Sequence, residues 1–186
     1  MATFTTTPID GLVIIEPRIF SDERGYFMES YSEKEYSNGG ITVQFVQDNH
    51  SKSAKGVLRG LHFQTEHTQA KLVRVTAGSV YDVAVDLRKS SPTYGKWYGI
   101  VLSAENKLQF YIPAGFAHGF LTLEDNTEFL YKCSEYYHAP SEGGIIYNDS
   151  DLSIDWESHL PSDMFIISKK DSYHPIFAQF AHSNPF

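Results

Sequence analysis

Two histidines sit where the surrounding pattern asks for packing. In Arg59-Gly60-Leu61-His62-Phe63-Gln64, strand alternation sends Leu61 and Phe63 to one face and His62 and Gln64 to the other, while glycines at 56 and 60 allow close approach. If the second face lines a barrel interior, His62 looks into a cavity. The alternative is a core histidine donating to a carbonyl, with Arg59 a solvated charge at a strand end. The second segment, Ile112-Pro113-Ala114-Gly115-Phe116-Ala117-His118-Gly119-Phe120, brings His118 into a strand just after a Pro and Gly turn. A neutral imidazole titrates near neutrality, so such rings suit proton transfer or metal ligation.

The elements that must position these rings read mostly as strands. Residues 72–76, 80–86, 97–102, 107–112, 116–123 and 128–133 are β-branched and aromatic and are separated by short Gly, Ser, Pro or Asn turns. Within 80–86, Tyr81, Val83 and Val85 alternate with Asp82, Ala84 and Asp86, as in a sheet with unequal faces. One helix signal precedes them: Ser32-Glu33-Lys34-Glu35 is a capping box, with Asn38-Gly39-Gly40 as the stop. The last forty residues, with Pro161, Pro175 and Pro185 among aromatics, read as an irregular layer packed on the strands. The expected fold is therefore all-β, a jelly-roll barrel or sandwich with a short N-terminal helix, formed as a single domain over residues 1–186.

Composition bounds the function. The 186 residues are 41% hydrophobic and 20% charged, which suits one well-cored domain. Fifteen Lys and Arg against 23 Asp and Glu give a net charge of −8, which argues against nucleic acid or an anionic membrane as partner. A small anionic substrate needs only local positive charge. The lone Cys133 makes neither an intrachain disulfide nor a Cys-based zinc site, so a reducing cytoplasm is expected. The apolar run Leu12 to Ile15 is too short for a signal peptide or membrane span and lacks a basic flank.

The run Pro113-x-Gly115-x-x-His118 resembles the second signature motif of the cupin jelly rolls, many of which bind a metal through this His and an earlier His-x-His with a carboxylate. Here the earlier motif reads His62-Phe63-Gln64, with no second His and no following Glu to complete it. Two imidazoles and an amide are a poor ligand set, so the expectation is a metal-free cavity, with a metal-dependent cupin oxygenase as the rival.

Several motifs together resemble the dTDP-4-dehydrorhamnose 3,5-epimerase family: Phe20-Ser21-Asp22-Glu23-Arg24-Gly25-Tyr26-Phe27-Met28-Glu29, Gln47-Asp48-Asn49-His50-Ser51, Gly56 to Gln64, Pro113 to Phe120, Leu130-Tyr131-Lys132-Cys133 with Tyr136-Tyr137, and Ser168-Lys169-Lys170-Asp171. They run in family order from about residue 4 to residue 175. The resemblance implies a homodimeric, cofactor-free cupin that inverts carbons 3 and 5 of a 4-keto-6-deoxy sugar carried on thymidine diphosphate. A proton beside a ketone is a weak acid, so its removal requires a base and a group that stabilises the enolate oxygen. By the resemblance, His62 is the base and Asp171 orients it, Lys71 faces the carbon-4 oxygen, His118 lines the same cavity, and Tyr131 returns a proton. Arg24, Arg59 and Lys170 match the diphosphate anchors, with Glu29, Gln47, Asn49 and Glu142 as polar partners and Phe27 and Tyr137 as aromatic faces.

Two departures concern loops. Lys169 is an additional charge, and Thr65-Glu66-His67-Thr68-Gln69 reads as a polar loop where the family often carries Pro. The acid, base and cation are untouched, whereas regiochemistry stays open, because relatives invert carbon 3 alone or carbon 5 alone with much the same residues. A non-catalytic sugar-binding cupin is a further alternative, against which His62, Lys71, Tyr131 and Asp171 together count. For the dimer, a strand such as Leu12 to Ile15 is expected to pair with a neighbour's sheet edge.

Overall fold

The computed structural model describes residues 1–186. The chain opens with β1 (Thr3–Thr6) and β2 (Val13–Glu16), continues through β3 (Ile19–Asp22) and β4 (Gly25–Met28), and enters helix α1 (Glu33–Asn38). There follow β5 (Gln47–Ser53), β6 (Val57–Gln64), β7 (Lys71–Ala77), β8 (Ser79–Asp86), β9 (Trp97–Ser103), β10 (Gln109–Ile112), β11 (Phe116–Thr122) and β12 (Thr127–Cys133). The C-terminal part holds β13 (Glu142–Gly144), β14 (Ile166–Ile167) and helix α2 (Phe177–Ser183) among short 3-10 turns.

Two sheets face each other. One runs β1-β2-β10-β7-β12-β5 and the other β13-β6-β11-β8-β9, with β14 joined in parallel to β6, while β3 and β4 form a separate hairpin. This is the expected jelly-roll sandwich of cupin type. Val73, Val75, Phe110, Ile112 and Phe129 from the first sheet meet Val80, Ala84, Leu102, Phe116 and Phe120 from the second in one buried cluster. Phe120 and Phe129 stack at 4.1 Å between ring centres.

The outer face of the second sheet is covered as well. Leu61, Phe63, Tyr81, Val83 and Val85 pack there against Leu152, Trp156, Leu160 and Phe180 of the C-terminal layer. Every residue of β8 is therefore buried, and the expected unequal faces are not found: Tyr81, Val83 and Val85 face the layer while Asp82 and Ala84 face the interior. Asp86 is satisfied by Arg88, Ser91 and Thr93. The layer expected to be irregular also holds the short strand β14, two 3-10 turns and helix α2.

Helix α1 covers the outside of the first sheet through Tyr36, which packs with Ile15, Ile41, Leu72 and Tyr111. Ser32 caps it by accepting the Glu35 N–H at 3.5 Å. The reciprocal half of the capping box is absent, because the Glu35 carboxylate instead accepts from the Ala2 N–H. Strand β2 is also corrected: it lies between β1 and β10 of its own chain, so it has no free edge to lend to a neighbour.

No helix is long and apolar enough to cross a membrane. The β3–β4 hairpin stands out from the sandwich with a two-residue turn at Glu23-Arg24, and Ile19, Phe20, Tyr26 and Phe27 are exposed.

Candidate active site

A β-bulge sets the site. His118 pairs with His62 across β11 and β6, yet Phe120 pairs with Arg59, so β6 carries one extra residue over this interval. The irregularity falls at Gly60, whose φ is +120°, and a β-carbon there would meet the Gly119 Cα at 2.6 Å. Strict alternation would turn Arg59 to the Leu61 face. The bulge brings Arg59 round to the His62 side, while Leu58 and Leu61 both pack in the outer core.

On that inner side a cavity of about 330 Å³ opens between the sheets, lined by residues that include His62, Gln64, Lys71, Tyr131, Tyr137 and Glu142. Gln47 and Asn49 of β5 complete one wall, where the Gln47 amide donates to Asn49 Oδ1 at 3.1 Å. His62 comes from the second sheet, whereas Tyr131 and Lys71 come from the first. The two rings thus belong to facing walls. Gln64 is held by the His67 and Tyr136 carbonyls and by the His138 N–H, so its amide serves the loops around the mouth.

The His62 ring contacts Asp171 at 2.6 Å between Nε2 and Oδ1. With the Nε2–H donated to the carboxylate, Nδ1 keeps a lone pair, which is the arrangement a proton acceptor needs. Asp171 is itself buried, and its backbone N–H donates to Ser168 Oγ at 3.1 Å. Burial works to raise the Asp171 carboxyl, but the His62 hydrogen bond and charge outweigh it and hold the group below the ordinary carboxylate value.

A second imidazole and carboxylate lie deeper. His118 donates to Asp82, at 2.9 Å to Oδ2, and both are buried in the interior. Burial pushes the His118 pKa down against the opposing pull of Asp82, so the ring is neutral at neutral pH. Lys71 sits near Asp82, Glu142 and Cys133, whose charges favour its ammonium, but burial is the larger effect and lowers its pKa. Burial also raises the Tyr131 phenol, which keeps it protonated and able to donate.

At the rim, Lys170 pairs with Glu142 at 2.5 Å, and the Tyr137 hydroxyl donates to the same carboxylate at 2.9 Å. These contacts hold Glu142 below its ordinary pKa although burial works the other way. Arg59 donates to Ser53 Oγ at 3.3 Å and acts electrostatically on Tyr131. Among the residues singled out from sequence, Arg24, Phe27 and Glu29 are not brought to this cavity. Arg24 pairs with Asp22 at the hairpin turn, Phe27 is 66% exposed, and Glu29 lies near the N-terminus and α1.

His62 and His118 do not assemble the ligand set of a cupin metal centre, since no group of His, Cys, Asp or Glu ligand atoms gathers both rings. Sequence reasoning passed over Asp82 and His174, both adjacent to the paired imidazoles. Strand alternation did place Asp82 opposite Tyr81, but nothing local tied it to His118. His174 has no motif to mark it.

The family model for dTDP-4-dehydrorhamnose 3,5-epimerase matches residues 6–179. The chain is 52% identical over 173 residues to the dTDP-4-dehydrorhamnose 3,5-epimerase of Methanothermobacter thermautotrophicus, covering 93% of this chain and 94% of the relative. It superposes on the crystal structure of the dTDP-4-dehydrorhamnose 3,5-epimerase from Elizabethkingia anophelis with a TM-score of 0.91 and 54% identity, over 96% of this chain and 97% of the other. With the dTDP-6-deoxy-D-glucose-3,5-epimerase of Legionella pneumophila, crystallised with dTDP-4-keto-L-rhamnose, the TM-score is 0.93 at 50% identity, over 98% and 96% of the two chains.

Proposed function

The chain belongs to the dTDP-4-dehydrorhamnose 3,5-epimerase family, and from that premise we propose that it converts dTDP-4-dehydro-6-deoxy-D-glucose to dTDP-4-dehydro-L-rhamnose in the cavity between its sheets. The observation that carries this reading is the placement of His62, paired with Asp171, on one sheet and Tyr131 on the sheet that faces it. A sugar held between them loses a proton from one face to His62. The planar enolate then regains one from Tyr131 on the opposite face, and the carbon is inverted. Repetition at the second carbon completes the conversion.

The remaining groups follow from where charge develops. As the α-proton leaves, negative charge gathers on the carbon-4 oxygen, and the partly buried Lys71 ammonium offsets it more strongly than it would in water. His118, kept neutral by burial and oriented by Asp82, stands behind the cavity beside Lys71 and adds a polar contact from that side. The reaction is redox-neutral and moves only protons, so these side chains suffice and no cofactor is invoked. Arg59 and Lys170 meet the diphosphate, and Tyr137 presents an aromatic face to the thymine. Gln47, Asn49 and Glu142 supply polar contacts along the same wall.

Arg24, Phe27 and Glu29 find a role in a homodimer. Their hairpin is exposed and carries Ile19, Phe20, Tyr26 and Phe27 into solvent, which favours burial against a second copy. We assign it to the neighbour's cavity, where Arg24 reaches the diphosphate. The reading treats residues 1–186 as one domain, working in the cytoplasm, where the buried Cys133 remains a thiol.

The decisive experiment supplies dTDP-4-dehydro-6-deoxy-D-glucose in deuterated water and follows positions 3 and 5 by proton NMR. Deuterium at both carbons with inversion at both is expected. Incorporation at one carbon alone would replace this reading with a single-position epimerase, and none at either would remove the epimerase reading.

A further inference from the structure

Beside the His62 and Asp171 pair stands a group that the epimerisation does not use. His174 follows the 3-10 turn Asp171–Tyr173, and its Nε2 lies 3.4 Å from the same Asp171 Oδ1 that His62 Nε2 reaches at 2.6 Å. The three ligand atoms lie within 4.8 Å of one another, and no other group of three His, Cys, Asp or Glu side chains does so. His174 Nε2 is also the one buried side-chain nitrogen or oxygen without a hydrogen-bond partner. Gly144 makes room for the ring, since a β-carbon there would come within 2.5 Å of that nitrogen.

We propose that His62, Asp171 and His174 form a three-ligand site for a divalent cation of the zinc type, and that the bound ion silences the epimerase. The silencing, unlike the site, rests on the proposed role of His62 as base. Zinc holds nitrogen and oxygen at about 2.0–2.2 Å, so ligand atoms on a tetrahedral ion stand about 3.3 Å apart. The edge from Asp171 to His174 already has this length. The edge from His62 to Asp171 opens from 2.6 Å as the ion enters, and the His62 side chain, 30% exposed at the cavity wall, has freedom to move. Two imidazoles and a carboxylate form a ligand set that suits such ions.

The proton balance explains the silencing. The ion takes the His62 Nε2 lone pair, and the proton that Nε2 had donated to Asp171 moves to Nδ1. Nδ1 is then occupied and accepts nothing from the sugar. The site is distinct from the cupin set weighed from sequence, because His118 is committed to Asp82 and takes no part.

Cobalt(II) titration of the chelator-stripped full chain reads the site directly, through the visible bands of a tetrahedral cobalt centre. One equivalent per chain, displaced by zinc, is expected. The bands should vanish in His174→Ala and in His174→Gln, both of which retain metal-free turnover; the second preserves a polar side chain should the first fold poorly. Zinc should inhibit either variant about tenfold or more weakly than the wild type. Absence of bands in the wild type, or equal bands in the folded variants, would overturn the site. Bands lost in the variants but full turnover in the zinc-loaded wild type would uphold the site and refute His62 as the base.

Discussion

Replacing Asp171 by Asn tests the proposed base without removing it. In the transition state the His62 imidazole takes on positive charge next to a carboxylate whose oxygen lies 2.6 Å from Nε2. With charge centres about 4 Å apart and an effective dielectric of about 20, the attraction is about 4 kcal/mol. His62 is 30% exposed, so solvent screening reduces this to about 2–4 kcal/mol. At about 1.4 kcal/mol per decade, Asp171→Asn should slow turnover roughly 30- to 1000-fold. The measurement is kcat for product formation alongside deuterium wash-in at carbon 3, both of which should fall together. A loss below about fivefold in a folded variant would refute the assignment of Asp171 as the group that orients and stabilises His62. Stability gives an independent check with a defined sign. The folded Asp171 carboxyl is held below its unfolded value near 3.9, so its contribution is present above that pH and lost as pH falls further. The Tm gap between wild type and the Asn variant should therefore close below about pH 4.

Other perturbations probe the facing wall, the dimer and the core. Tyr131→Phe should keep solvent exchange at carbon 3 while losing inversion, and unimpaired product formation would take Tyr131 out of the mechanism. Inactive Arg24→Ala and His62→Ala proteins, mixed and allowed to exchange subunits, should recover about a quarter of wild-type activity, because half the dimers are mixed and each has one intact site of two. No recovery despite proven exchange would return Arg24 to its own chain's cavity. The buried His118 ring has a lowered pKa, so the unfolded chain takes up a proton that the folded one refuses. Its contribution is therefore lost as pH drops from about 6.5 through the folded value, and His118→Gln should flatten this part of the Tm profile. Phe129→Ala, which empties the stack on Phe120, should cost about 3–5 kcal/mol in denaturant titration, and a loss under about 1 kcal/mol would contradict its place in the core.

Much of this molecule is legible one residue at a time because strands declare themselves by alternation. The β-branched run at 80–86 and the turns around it predict strands that the structure reproduces to within a residue or two. Alternation also turns His62 away from Leu61 and Phe63, which is how it lies. Helix α2 was hidden because a seven-residue helix takes its stability from packing, here through Phe180, and not from a local pattern. The unequal faces expected for β8 failed because a layer arriving about 70 residues later in the chain covers the Tyr81, Val83 and Val85 face, while the face that carries Asp82 and Ala84 turns to the interior between the sheets.

Local chemistry determines which groups are available: an imidazole entering a strand at 62, another behind a turn at 118, a lysine opening β7 and a phenol in β12. Those types and their order also carry the family resemblance. What they do to each other is a tertiary matter, because hydrogen bonds and charges act over a few ångströms while the partners lie far apart along the chain. His62 and Asp171 are separated by 109 positions and meet only when the C-terminal layer folds onto β6. The extra residue at Gly60 decides that Arg59 shares the His62 side. His174 acquires its place beside Asp171 by the same closure, and no spacing in the sequence announces it.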